Sequence, residues 1–200
     1  MFFNNFWNKI LRYEIDFIIL IQKFSKGPEN NLMLIKFCKI FTNEVYHNWL
    51  TILVSFYKII LYYYQYNLSY IMIFIFLKEY LKLKMIFSFS KFINYKIKNF
   101  FKIRRPYVNN DNIEKIVIKK DKSKSFSFPS NSVQKCTVFY YTLLNTFKFN
   151  ISNNFIVMLI VILLSYIKTL RGLHYLHDIF SGLIIGSLIN YFYFKFVLFL

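Results

Sequence analysis

Leu170-Arg171-Gly172-Leu173-His174-Tyr175-Leu176-His177-Asp178 runs without interruption into the apolar stretch Ile179 to Leu200. A histidine and a carboxylate thus stand four residues apart where a loop enters a helix apolar enough for a membrane. Phe, Tyr, Ile, Lys and Asn dominate the chain, so its few Arg, Gly, Pro and His residues are the informative letters. Most of them fall in this segment or in two others.

Reading outward from that helix, further apolar stretches lie at Phe155 to Leu170 and Val133 to Phe149, separated by Asn150-Ile151-Ser152-Asn153-Asn154. Lys96 to Ser130 is basic, polar and holds two of the three prolines, which places it outside hydrocarbon. Before it come Trp49 to Tyr64, interrupted by Lys58, and a long stretch from Tyr70 to about Tyr95 that carries Lys78, Glu79, Lys82 and Lys84. Charges in such spans are expected to pair at helical spacing or to face a polar bundle interior, because a lipid-exposed charge at the bilayer centre is costly.

At the N-terminus, Phe3, Phe6, Trp7, Ile10, Tyr13, Phe17, Ile21 and Phe24 recur at helical spacing among Lys9, Arg12, Glu14, Asp16 and Lys23. That pattern describes a helix lying at the membrane interface, with a poorly hydrophobic first span as the alternative. Lys26-Gly27-Pro28-Glu29-Asn30-Asn31 then breaks the chain. The start, Met1 to Lys9, lacks a compact basic region and a small-residue cleavage site, so membrane entry is expected to rely on the first true span.

The fold expected is an all-α integral membrane protein with about five transmembrane helices and an N-terminal interfacial amphipathic helix. Residues 1–31 form the amphipathic segment and residues 32–200 the transmembrane domain. A content of 56% hydrophobic and 22% aromatic residues in 200 is too apolar for an ordinary soluble surface, although a soluble all-α domain with a large aromatic core is the competing class. The net charge of +17 alternates with long apolar runs and meets no nucleic-acid signature. Membrane lipids and a phosphorylated substrate are the expected partners, and nucleic acid is not.

Cys38 and Cys136 match no metal or redox spacing and are expected as buried thiols. His47 reads as a structural histidine, and Lys115 to Lys124 as a solvated or lipid-facing loop. Gly182 and Gly186 have the small-xxx-small spacing that lets helices approach closely, here read as packing within the chain.

If the spans alternate in direction, three clusters meet on one face. They are Lys98-Asn99-Phe100-Phe101-Lys102-Ile103-Arg104-Arg105-Pro106, then Phe128-Pro129-Ser130-Asn131-Ser132, and His174 with Asp178. A phosphoryl group in transfer spreads negative charge over its oxygens, and a cradle of fixed cations and N–H donors answers that need. Lys98, Arg105, Ser130, Lys168 and Arg171 can supply it. Imidazole is a competent nucleophile when its far nitrogen keeps the proton.

These clusters resemble the type 2 phosphatidic acid phosphatase (PAP2) superfamily of membrane phosphatases over roughly residues 45 to 200. The family pattern K-x6-R-P is met by Lys98, Arg105 and Pro106. P-S-G-H is met at Pro129 and Ser130, with Asn131 and Ser132 in the other two places. S-R-x5-H-x3-D is met at His174 and Asp178, with Ile167 and Lys168 in place of Ser and Arg. A rival register pairing Arg171 with His177 puts Ser181 at the aspartate, so His174 is preferred; Arg171 can still supply the guanidinium.

The resemblance implies a lipid phosphate or diphosphate phosphatase in which His174 is the nucleophile, forming a phosphohistidine, and Asp178 holds its proton, with no cofactor and no metal. Lys98, Arg105, Ser130, Lys168 and Arg171 would bind the substrate phosphate. Ser132 weakens the general acid, for which His177 is a possible substitute. The alternatives are a catalytically impaired lipid-binding or structural membrane protein, and a lipid head-group phosphotransferase. The family's habit puts the active face on the lumenal or extracellular side. The positive-inside rule applied to the basic loops points to the cytosol. Asn67-Leu68-Ser69 and Asn150-Ile151-Ser152 are possible glycosylation acceptors on the opposite face.

Overall fold

A computed structural model of the chain describes residues 2–25, 32–41, 44–66, 72–113, 126–146 and 152–197. Among these residues the structure is all-helical. The helices are α1 (Phe2–Phe24), α2 (Leu32–Phe41), α3 (Glu44–Tyr66), α4 (Met72–Phe101), α5 (Pro106–Asn109), α6 (Asn131–Thr146), α7 (Ser152–Leu170) and α8 (Leu176–Val197). The Lys115 to Lys124 loop, Asn67-Leu68-Ser69, Asn150-Ile151 of the second glycosylation motif and the side chain of Cys38 lie outside what is described.

The closest pairing in the bundle is α6 on α8, and two glycines permit it. A Cβ on Gly182 would meet the Ser130 carbonyl oxygen at 2.8 Å, and one on Gly186 would meet Thr137 Cβ at 2.8 Å and the Gln134 carbonyl oxygen at 2.9 Å. The small-xxx-small spacing therefore serves packing inside the chain. Gly186→Leu is expected to force α6 and α8 apart at a destabilisation of about 1–3 kcal/mol or more, read as a lower melting temperature in detergent micelles. An unchanged melting temperature would show that this contact is slack.

The interior combines apolar clusters with polar groups, and the exterior carries many large apolar side chains. Ser90, Asn94, Gln134, Thr137, Thr142 and Asn190 are buried. Gln134 Nε2 donates to the Ser90 carbonyl (2.8 Å), its Oε1 accepts from Asn94 Nδ2 (2.7 Å), and Asn190 Oδ1 accepts from Thr142 (2.8 Å). On α4 the stripe Leu83, Ile86, Ser90 and Asn94 faces inward, whereas Phe74, Leu77, Leu81, Met85, Phe89 and Phe92 are exposed. Hydrogen bonds holding helices together beneath an apolar coat suit a hydrocarbon solvent.

By length and composition, one helix among the described residues passes as a membrane span, Leu176–Phe196, and Met158–Leu170 is a shorter apolar helix. Of the other expected spans, the one in α4 carries too much charge for that criterion, and α6, with 16 residues, is too short for it. Part of the charge is internally paired: Glu79 bonds to Lys58 of α3 and lies 3.4 Å from Lys82 one turn on.

The N-terminal helix has two apolar stripes. Tyr13, Phe17 and Phe24 point outward, while a second stripe, Leu11, Ile15, Ile18 and Gln22, packs inward. Ile18 and Ile15 lie in a cluster with Tyr175, Ile113 and Ile103, and Gln22 Nε2 donates to the Leu170 carbonyl at 2.9 Å. Helix α2 had no counterpart in the expected spans. Its Ile35 packs on Cys136, Leu164 and Ile167. Cys136 is buried, and His47 is buried with its ring stacked on Phe139 at 4.5 Å.

Candidate functional site

Helix α4 outruns its expected end at Tyr95 and carries Lys98 on its last turn. Its 30 residues extend about 45 Å at 1.5 Å each. Lys102, at φ 50°, ends the helix and turns the chain toward Arg105 and Pro106. Proline at the first position of α5 forgoes an N–H that would be unbonded there anyway.

The segment before α6 is tied to this turn. Ser127 N donates to the Ile103 carbonyl at 2.8 Å, and Lys98 Nζ donates to the carbonyls of Phe126 (2.6 Å) and Ser127 (3.1 Å). An ammonium has three protons, so one remains for another acceptor.

The third segment begins where α7 stops. Gly172 N donates to the Thr169 carbonyl and Leu173 N to the Lys168 carbonyl. With Gly172 at φ 60°, this is a Schellman stop, which needs the left-handed conformation glycine adopts without strain. The turn then meets the other two clusters. Arg105 Nη1 donates to the Leu173 carbonyl (3.1 Å), Tyr107 N to the Gly172 carbonyl (3.3 Å), and Ser130 N to the Asp178 carbonyl (2.8 Å). Close approach at Gly182 is what lets Ser130 sit beside the start of α8.

His174 is 4% exposed and its Nδ1 lies 3.4 Å from Asp178 Oδ2, a long contact that also receives Tyr175 N at 2.9 Å. Burial pushes the His174 imidazole down to about 4, with Arg105 and Lys168 adding to the shift and Asp178 opposing it. The ring is therefore neutral at neutral pH. A proton on Nδ1, facing Asp178, leaves the lone pair on Nε2. Lys98 is lowered to about 8, first by burial and then by Arg105, against Asp178. Arg105 thus acts electrostatically on both His174 and Lys98. Lys168 is half-buried on the last turn of α7, and Arg171 is buried in the turn beyond it.

Two hydroxyls here are buried without a hydrogen-bond partner, Ser130 Oγ and Thr169 Oγ1. A buried donor left unpaired costs about 1–3 kcal/mol. Ser130, at 0% exposure between Asp178 and α6, is suited to donate to a phosphate oxygen. Ser132 stands two residues on, half-buried in the first turn of α6.

His177 is held by residues from two helices. Its Nδ1 lies 2.6 Å from Glu14 Oε2 on α1, its backbone N donates to Glu14 Oε1 at 3.0 Å, and its Nε2 lies 3.2 Å from Asp178 Oδ1. The ring stacks on Tyr175 at 5.2 Å. Sequence reading passed over Glu14. Its signal was there: it shares the inward face of α1 with Leu11, Ile15 and Ile18, where a carboxylate needs a partner.

The family model for the PAP2 superfamily matches residues 79–200, a range that holds all three clusters. No curated protein matches the chain. Among solved structures, the chain is similar to the first transmembrane PAP2 type phosphatidylglycerolphosphate phosphatase from Bacillus subtilis. The two are 15% identical over 93% of this chain and 94% of that one, with a TM-score of 0.48.

Proposed function

The chain belongs to the PAP2 superfamily, and from that premise we propose that it is a multi-pass membrane phosphatase acting on a lipid phosphate or diphosphate through a phosphohistidine on His174. One observation carries the reading: a neutral, buried His174, backed by Asp178, stands among Lys98, Arg105 and the unpartnered Ser130 hydroxyl. Helix α1 is read as the peripheral segment, residues 32–200 as the membrane domain, and the active face as lumenal or extracellular.

In the first step the Nε2 lone pair attacks phosphorus, the bond from phosphorus to the leaving oxygen breaks, and that oxygen departs with the bond's electrons. Asp178 stabilises the proton retained on Nδ1 as the ring gains positive charge. Lys98, Arg105, Lys168 and Arg171 offset the charge on the phosphoryl oxygens, and Ser130 donates to one of them. Water then attacks phosphorus, the P–N bond breaks, and phosphate leaves with His174 restored. In this resting arrangement both ring nitrogens of His177 face carboxylates. To protonate a leaving group, that ring would have to give one of them up. This favours a diphosphate substrate, whose departing phosphate needs little protonation.

The reading sets a pH dependence. His174 stays neutral above about pH 5, so it puts no acid limb in the neutral range. Lys98 is cationic below its pKa of about 8 and loses its charge as pH rises through it, so kcat/KM falls on the alkaline side. Purified protein in detergent is expected to release phosphate in a vanadate-sensitive manner with that alkaline limb. Lys98→Arg, charged at every accessible pH, should move the limb upward. A limb unmoved by Lys98→Arg would remove Lys98 from the cradle.

A further inference from the structure

Two carboxylates answer backbone N–H groups at the start of α8, where a helix has no partners of its own for them. Asp178, in the first turn, reaches back so that its Oδ2 accepts Tyr175 N at 2.9 Å, the return half of a capping box. The other carboxylate is Glu14 of α1, whose Oε1 accepts His177 N at 3.0 Å and whose Oε2 lies 2.6 Å from His177 Nδ1. The far nitrogen of the same ring, Nε2, lies 3.2 Å from Asp178 Oδ1. Glu14, His177, Asp178 and His174 thus form one chain of side chains, ending in the 3.4 Å approach of Asp178 Oδ2 to His174 Nδ1. Tyr175, stacked on the His177 ring at 5.2 Å, and Phe128, tilted against it at 5.8 Å, hold that ring in place.

We infer that Glu14 is a positioning residue of the catalytic site, fixing the plane of the Asp178 carboxylate through His177 and thereby the ring of His174. The inference rests on reading His174 as the nucleophile, and it adds a residue outside the range 79–200 that the family model matches. The last torsion of an aspartate is soft. A 3.4 Å contact on an oxygen already engaged by Tyr175 N holds it loosely, so a contact on Oδ1 is what stops the carboxylate from turning. His177 serves two carboxylates at once when both ring nitrogens carry protons. Glu14, with its side chain 12% exposed, in turn needs a partner for its charge. Packing sets α1 in place for this role. Leu11, Ile15 and Ile18 lie in one cluster with Ile103, Tyr107 and Tyr175, which flank Arg105 and His174.

The test uses full-length protein in detergent. Glu14→Gln keeps the side chain's size and removes its charge, and it should lower kcat about 10- to 100-fold, the cost of a misplaced reacting group. KM should stay within about two-fold, because the phosphate cradle is untouched. In a His177→Gln background, itself slowed, Glu14→Gln should cost nothing more, since two residues acting in series do not add. Leu11→Ala, one turn away on α1, should lower the melting temperature and leave kcat within about two-fold, which separates positioning from packing. An unchanged kcat in Glu14→Gln, additive losses, an equal loss in Leu11→Ala, or a gain on monophosphate esters would each overturn the inference. Ring ¹⁵N signals of the three histidines, recorded without substrate, supply a readout independent of turnover. If the native protein released no phosphate, the phosphatase reading would fall while these signals still decided the coupling. His174 signals that move in Glu14→Gln but not in Leu11→Ala uphold it, and His174 signals that stay still overturn it.

Discussion

Replacing His174 with alanine is expected to lower vanadate-sensitive phosphate release by at least about 10⁴-fold, because removing a nucleophile removes the covalent route rather than one contact within it. The loss should fall on kcat with little change in phosphate affinity, since Lys98, Arg105 and Ser130 remain. Asp178→Asn should retain the fold less well. Its carboxylate also receives Tyr175 N and faces His177, so its loss mixes orientation with stability. His174→Ala is cleaner, as the imidazole contacts Asp178. Brief incubation of the native protein with substrate, followed by alkaline quench, should trap a phosphohistidine absent in the variant. Activity within ten-fold of the native protein, or trapping elsewhere, would sink the assignment and leave a lipid-binding protein as the better reading.

What could be read beforehand follows from how far each contact reaches along the chain. His174 and Asp178 are one helical turn apart, and Lys98 and Arg105 flank one helix end, so local spacing exposes both pairs. Gly182 and Gly186 are legible for the same reason: two glycines four apart mark one face of a helix, whatever packs there. Glu14 meets His177 across 163 residues, and no local pattern announces that encounter. The inward stripe of α1 was masked by the larger aromatic side chains of its outward stripe, which dominate any hydrophobic periodicity. Hydropathy averaged along single helices misses cross-helix pairing in the same way. Lys58, Glu79 and Lys82 lower the average hydropathy of α3 and α4, while their cost is reduced by a pairing visible in three dimensions alone. Burial of His174, which sets its protonation, depends on α1, α5 and α6 closing around the loop, and no single segment encodes that.

The second large effect concerns Ser132. Hydrolysis of a phosphate monoester through His174 expels an alkoxide, nearly as basic as hydroxide, unless an acid protonates it as the bond breaks. Serine is far too weak an acid for that, and positioned acid catalysis contributes about 10²–10⁴-fold. A diphosphate expels a phosphate whose second pKa is about 6, so it loses much less by lacking an acid. The native protein is therefore expected to hydrolyse lipid diphosphates roughly 10²-fold or more faster than the matching monophosphates. Ser132→His should raise monophosphate hydrolysis by a similar factor while leaving diphosphate hydrolysis nearly unchanged. The position is half-buried in the first turn of α6, two residues from Ser130. Rate ratios near one in the native protein would mean that some other group already protonates the leaving oxygen, and His177 released from Glu14 would be the first to examine. A Ser132→His variant that melts normally yet gains nothing on monophosphates would place the leaving group away from α6, and the diphosphate preference would then need a different cause.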